Sequence, residues 1–150
     1  MSMTITSPAF TSNGIIPPPH TCEGDNTNPP LEIADVPKTT VSLALSVEDP
    51  DSPGRVWQHW LIWGIAPETK RIGPGQMPAG AQEGLTDFGR SGYGGPCPAS
   101  GVHHYVFRLY ALDITPLLSE TADRKVFDQA INGHILAQAE LVGRFGHHQK

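Results

Sequence analysis

The stretch from Gly92 to Tyr110 changes character within a few residues, and that change limits what the chain can become. Gly92-Tyr93-Gly94-Gly95-Pro96-Cys97-Pro98 is dense in residues with uncommon or fixed backbone angles, which predicts a stiff, irregular loop. Gly101-Val102-His103-His104-Tyr105-Val106-Phe107-Arg108-Leu109-Tyr110 follows and has the β-branched and aromatic enrichment of a strand. Side chains alternate along a strand, so His103, Tyr105, Phe107 and Leu109 share one face while His104, Val106, Arg108 and Tyr110 share the other. His103 and Tyr105 then stand together at the strand's entry, with free amides expected at Gly94 and Gly95. This arrangement predicts a polar pocket at the end of an apolar face.

Two earlier segments repeat the theme. Val41, Leu43, Leu45 and Val47 alternate with Ser42, Ala44, Ser46 and Glu48, the period of a half-buried strand. Asp49 falls in the apolar register where that strand ends, and a carboxylate there is costly unless it is paired or open to a cavity. Asp49-Pro50-Asp51-Ser52-Pro53-Gly54 reads as a tight turn, with Ser52-Pro53 a candidate cis bond. From Val56 to Ile65, strict alternation puts Trp57, His59, Leu61, Trp63 and Ile65 on one face and Gln58, Trp60 and Ile62 on the other. Both faces are apolar, as in the middle of a sandwich, and His59 is the one titratable group on its face.

The remainder is turn-rich. Pro17-Pro18-Pro19 and Asn28-Pro29-Pro30 exclude a central strand or helix interior, leaving short edge strands near Thr4–Ser7 and Leu31–Ile33. Pro67 to Gly92 is a long loop of the kind that is functional or disordered. Ser119 to Asn132 predicts the one good helix, capped by Ser119 or Thr121, with Val126, Phe127, Ala130 and Ile131 as its apolar face. Alternation from Ile135 to Leu141 predicts a last strand, and Gly146 to Lys150, with His147 and His148, a frayed tail.

At 150 residues, residues 1–150 are expected to form a single domain. A net charge of −5 carries no basic footprint and argues against nucleic acid as a partner. No apolar run is long enough to span a bilayer, and residues 1–10 lack a secretory pattern, so the expectation is a cytoplasmic protein. In that compartment Cys22 and Cys97 read as free thiols, and without a C-x-x-C spacing they suggest no structural zinc site.

Asp49, Asp51, His59, His103, Tyr105 and the amides near Gly94 and Gly95 are thus the candidate site. Each has a plain structural reading too: a hydrogen-bonded core histidine, or for Asp51 a turn residue bonded to its own backbone. An enzyme is one alternative, with Ser91 or Ser100 as the available nucleophiles; a metal site from Asp49, His59 and His103 is another.

Asp49-Pro50-Asp51-Ser52-Pro53 with Trp57-Gln58-His59-Trp60 resembles one signature of the phosphatidylethanolamine-binding proteins. Gly92-Tyr93-Gly94-Gly95-Pro96-Cys97-Pro98 with His103-His104-Tyr105 resembles the second. Cys22-Glu23-Gly24, Pro29-Pro30-Leu31, Asp87-Phe88-Gly89 and Gly133-His134-Ile135-Leu136-Ala137 are similar to the prokaryotic, Raf-kinase-inhibitor-like branch. The chain departs from the family pattern at His104, where Arg is usual, and at Asn28 and Ala99, where Ser and Pro are common.

The resemblance implies a mainly β, antiparallel Greek-key β-sandwich with one main peripheral helix. It also implies a small anion pocket formed by Asp49, Asp51, His59, Gly94, Gly95, Pro96, His103 and Tyr105. The implied ligand bears phosphate: a phosphoethanolamine-like headgroup, a nucleotide or a phosphorylated partner. Modulation of a kinase or protease, and a homodimer, are implied as well. No cofactor and no metal are expected, and a binding role is expected ahead of catalysis. Affinity for anions is expected to rise as pH falls toward 6, through the histidines. A Cys22–Cys97 disulfide also becomes an expectation, since both segments should approach the pocket.

Overall fold

The structure is a computed structural model that describes residues 2–146, so the expected tail at His147 and His148 lies outside the described residues. Its strands are β1 (Thr4–Thr6), β2 (Gly14–Ile15), β3 (Leu31–Ala34), β4 (Ser42–Asp49), β5 (Trp57–Ile65), β6 (Arg71–Ile72), β7 (Gln82–Glu83), β8 (His103–Leu112) and β9 (Ile135–Phe145). One α-helix, α1 (Arg124–Ile131), precedes β9. A three-stranded sheet in the order β1-β3-β6 packs on a six-stranded sheet in the order β2-β9-β8-β4-β5-β7. The chain leaves β5, crosses β4 and returns as β8 on the far side, a Greek-key connection. One pair, β2 with β9, is parallel, so the large sheet is mixed rather than wholly antiparallel.

Two apolar layers result. Leu43, Leu45, Val47, Trp60, Ile62, Tyr105, Phe107 and Leu109 join Ile5, Leu31, Ile33 and Ile72 between the sheets. Ala44, Leu61, Trp63, Tyr110 and Leu112 pack against Phe127 and Ile131 of α1 on the other face. Phe107 and Phe127 are fully buried, and each such side chain contributes ~1.5–3 kcal/mol relative to exposure.

Strict alternation fails in β5, and the failure positions the site. Val47 pairs with Trp60 but Glu48 pairs with Gln58, so His59 and Trp60 together oppose one residue of β4. This β-bulge reverses the parity of the strand. His59 lies against Tyr105, and Trp60 joins the cluster between the sheets, whereas Leu61 and Trp63 face α1. A second irregularity lies between the pairings of Leu43 and Leu45, where Gly64 takes φ +71 and Ile65 returns to the inter-sheet face. Periodicity alone had put His59, Leu61, Trp63 and Ile65 on one face.

Other boundaries also shift. The helix begins at Arg124, because Asp123 rather than Ser119 or Thr121 accepts a hydrogen bond from the Val126 amide. The Ser119 and Thr121 hydroxyls bond each other, and the Ala122 carbonyl accepts the Leu85 amide, so these residues are used in a turn. Val126 is exposed; Phe127 and Ile131 carry the buried face. The long loop after β5 contains β6 and β7. Among the described residues no peptide bond is cis, which corrects the expectation for Ser52-Pro53.

Candidate ligand-binding site

A cavity of about 250 Å³ opens at the end of the inter-sheet layer. Asp49 from the end of β4, Trp57 and His59 from β5, and His103 and Tyr105 from the start of β8 form its floor. Ser52 and Pro53, Phe88, and Cys97, Pro98 and Ala99 complete the wall.

The polar residues are oriented by hydrogen bonds to one another and to the surrounding backbone. His103 Nδ1–H donates to Asp49 Oδ2 at 2.6 Å; Asp49 is buried and His103 partly so. Asp49 Oδ1 accepts the Asp51 amide at 2.8 Å, closing the turn. His59 Nδ1–H donates to the Gly94 carbonyl at 2.6 Å, which assigns that tautomer and leaves Nε2 as an acceptor. Burial pushes the His59 pKa below its usual value, against the Gly94 hydrogen bond and the Asp49 charge, which raise it. The rings of Phe88 and Tyr105 lie edge-on to His59, each with centroids 5.2 Å away.

The Tyr105 hydroxyl is buried without a hydrogen-bond partner of ordinary geometry. Burial, followed by the carboxylates of Asp49 and Asp51, raises its pKa; the Cys97 backbone offsets part of this. The phenol therefore stays protonated and can donate.

Asp51 takes a different role from the one expected. Its Oδ2 accepts from the His104 amide at 2.8 Å and from His104 Nδ1–H at 2.7 Å, on the exposed side of the turn. The His104 side-chain bond is the main reason why the Asp51 pKa is lowered. Asp51 thus fixes the turn and the start of β8, and it is not part of the cavity wall.

The amides of Gly94 and Gly95 are not free. Gly94 N–H donates to the His59 carbonyl at 3.0 Å, and Gly95 N–H donates to Asn26 Oδ1 at 2.8 Å. No amide nest remains there for an anion, and Gly94, Gly95 and Pro96 support the wall from behind it. Their small size has a separate cause: a Cβ on Gly94 would sit 2.4 Å from the Phe88 ring.

The segment that packs on this wall is fastened at several points. Cys22 and Cys97 form a disulfide with Cα atoms 5.5 Å apart, in place of two free thiols. Tyr93 Oη donates to the His20 carbonyl, the Cys22 amide donates to the Pro96 carbonyl, and Asn26 holds Gly95. Among the described residues, no group of His, Cys, Asp and Glu side chains is arranged to hold a metal ion, including Asp49, His59 and His103. Trp57, Ser52, Pro53, Phe88, Pro98 and Ala99 were not among the residues expected at the site. The Asp87-Phe88-Gly89 motif was the one sequence signal for Phe88.

Known proteins share this architecture. The model of the phosphatidylethanolamine-binding protein family matches residues 6–146. A UPF0098 protein of Methanothermobacter thermautotrophicus is 43% identical over 148 residues, covering 95% of this chain and 98% of the relative. The crystal structure of a putative phosphatidylethanolamine-binding protein homologue from Chlamydia trachomatis superposes with a TM-score of 0.93 at 37% identity, covering 97% of both chains. E. coli YbcL, described as a new member of the mammalian family, gives a TM-score of 0.89 at 30% identity, with 97% of this chain and 98% of that one covered. The chain belongs to the phosphatidylethanolamine-binding protein family.

Proposed function

We propose that the protein is a binding module whose cavity takes a single phosphate group of a small ligand. The observation that carries this reading is the set of polar atoms left over on one apolar-walled cavity. The Tyr105 hydroxyl has no hydrogen-bond partner of ordinary geometry, so its proton is free to donate, and His59 and His103 each have Nδ1 committed and Nε2 left as the remaining polar atom. Phosphate oxygens match a phenolic donor and imidazoles that are able to take up a proton. A volume of about 250 Å³ suits a headgroup, since sites for drug-sized ligands run ~300–1,000 Å³. An acyl chain or a nucleotide base would remain outside.

The test is a titration of the full chain with inorganic phosphate and O-phosphoethanolamine at pH 6.5, followed by amide NMR shifts and calorimetry. Saturable binding that perturbs residues near His59, His103 and Tyr105, and weakens in His103→Ala, is the expected result. No shifts at millimolar phosphate would overturn the reading and move attention to surface recognition of another protein.

A further inference from the structure

We propose that the mouth of this cavity selects phosphate ligands that carry a second anionic group, and that Arg90 makes the selection. The inference rests on the phosphate-binding reading above and adds the ligand class.

The charged groups around the mouth differ in whether they are already matched. Arg55, whose guanidinium lies 5.9 Å from the Trp57 ring centroid, is paired with Asp87 at 2.6 Å. Asp51 is paired with His104. Inside, Asp49 is 4% exposed and has each carboxylate oxygen engaged, one by His103 and one by the Asp51 amide. Each oxygen keeps a second lone pair, but at this exposure only a group inside the cavity can reach it. Arg90 is the exception. It has no ion-pair partner among the described residues, and its guanidinium sits 5.8 Å from the centroid of Phe88, a ring of the cavity wall. Among the described residues, Arg90 is therefore the charged side chain beside this wall with no ion-pair partner, whereas Asp49 and Asp51 are each held by a histidine that carries charge only when protonated.

The loop that carries Arg90 is built to hold it there. Thr86 N–H and Oγ1 both donate to the Arg90 carbonyl, at 2.9 and 2.6 Å, and the Thr86 Oγ1 accepts the Phe88 amide. Asp87 Oδ2 accepts the Gln58 amide at 2.6 Å, tying the loop to β5 beside His59. Gly89, at φ +80, allows the tight return that brings Arg90 back over Phe88. A cation on an aromatic face gains from the ring while its outer edge remains available to an anion. The arrangement disfavours the ammonium of a zwitterionic headgroup and favours a carboxylate or second phosphate in its place.

Phosphoglycolate and O-phosphoethanolamine are close in size and exchange a carboxylate for an ammonium, so they make the comparison directly. At low salt and pH 7, the wild-type chain is expected to bind phosphoglycolate about three- to five-fold tighter, the range of an exposed charge contact. In Arg90→Gln that ratio is expected to fall to about one, with inorganic phosphate affinity unchanged within about two-fold. Equal affinities in the wild type, tighter phosphoethanolamine, or a ratio that survives in Arg90→Gln would each overturn the inference while leaving phosphate binding standing. Failure of inorganic phosphate itself would remove the underlying reading and this inference with it. Soluble esters and bilayer headgroups share the chemistry, so co-sedimentation with phosphatidic acid vesicles forms a further arm. Arg90-dependent binding in the soluble or the vesicle arm supports the selection and identifies its source.

Discussion

Adjacent residues of β4, β5 and β8 point to opposite faces of the large sheet and meet opposite fates. Glu48, Gln58 and Arg108 face α1, where Arg124 donates to Ser46 at 2.6 Å, Glu48 at 2.7 Å, Tyr110 at 2.9 Å and Asp128 at 2.7 Å. Arg108 bridges Glu48 and Glu140, and the Gln58 amide donates to Ser46 and the Trp60 carbonyl. Asp49, His59 and Tyr105 sit one residue or one strand away on the other face, around a cavity, with a phenol and two imidazole nitrogens still unmatched. Buried polar groups are normally satisfied, and a half-satisfied cluster weakens a fold unless something else completes it. The helix face matches its polar groups to one another; the cavity face leaves several of them unmatched.

The faces are also fastened differently, and the largest expected effect lies there. The cavity wall at Cys97 is held by a covalent link to Cys22 across a sequence separation of 75. Closing a loop of that length corresponds to about 4 kcal/mol of denatured-chain entropy. Urea unfolding of the protein with and without reductant, and of Cys22→Ala/Cys97→Ala, should show a loss of that order. A loss below about 1 kcal/mol would mean that the Tyr93, Cys22 amide and Asn26 hydrogen bonds hold the wall alone. Next is Glu48→Gln, which leaves Arg108 and Arg124 without their shared carboxylate. Breaking a buried pair costs about 3–5 kcal/mol, and exposure of roughly a quarter of each arginine reduces the expected loss to about 2 kcal/mol. Phosphate affinity should not change in this variant. If it did, the two faces would be coupled and the contrast between them would fail.

Much of this was readable from residue order. Alternation in β4 and β8 put Asp49, His103 and Tyr105 on the apolar side, and that side is where they lie. β5 was readable as a strand but not in its parity, because a bulge is decided by which residues of β4 and β5 pair across the sheet. A glycine at Gly64 is weak advance notice of one. The supposed free amides failed for a similar reason: Asn26 bonds Gly95 over 69 positions, a long-range closure that no local pattern encodes. Asp51 was correctly seen as polar and turn-associated, but its partner, His104, had been assigned to the opposite face from the pocket, and both readings turn out to describe one exposed clamp.

A smaller effect, opposite in sign, comes from Tyr105→Phe. The hydroxyl that it removes is buried and unpartnered, so the free protein should gain up to about 1 kcal/mol in the same urea titrations. Phosphate affinity should fall about ten-fold, the worth of one hydrogen bond to a charged group. A variant both less stable and equal in affinity would show that the phenol has a structural partner and belongs with the satisfied face.

The smallest effect is a pH dependence. Burial lowers the His59 pKa in the folded state relative to the unfolded chain, whose value is about 6.5. The unfolded state therefore binds more protons as pH falls below about 6.5, and the free protein loses stability across that window. His59→Gln should flatten this part of the stability curve; an unchanged slope would assign it to other groups. Phosphate in the cavity reverses the preference, because an anion beside the ring favours its charged form and binding draws in a proton. Affinity should then rise between pH 8 and pH 6. A phosphodiester such as glycerophosphoethanolamine does not titrate in that range, so any rise that it shows belongs to the protein. Loss of the rise in His59→Gln would assign it to this histidine, while its persistence would assign it to other groups of the site.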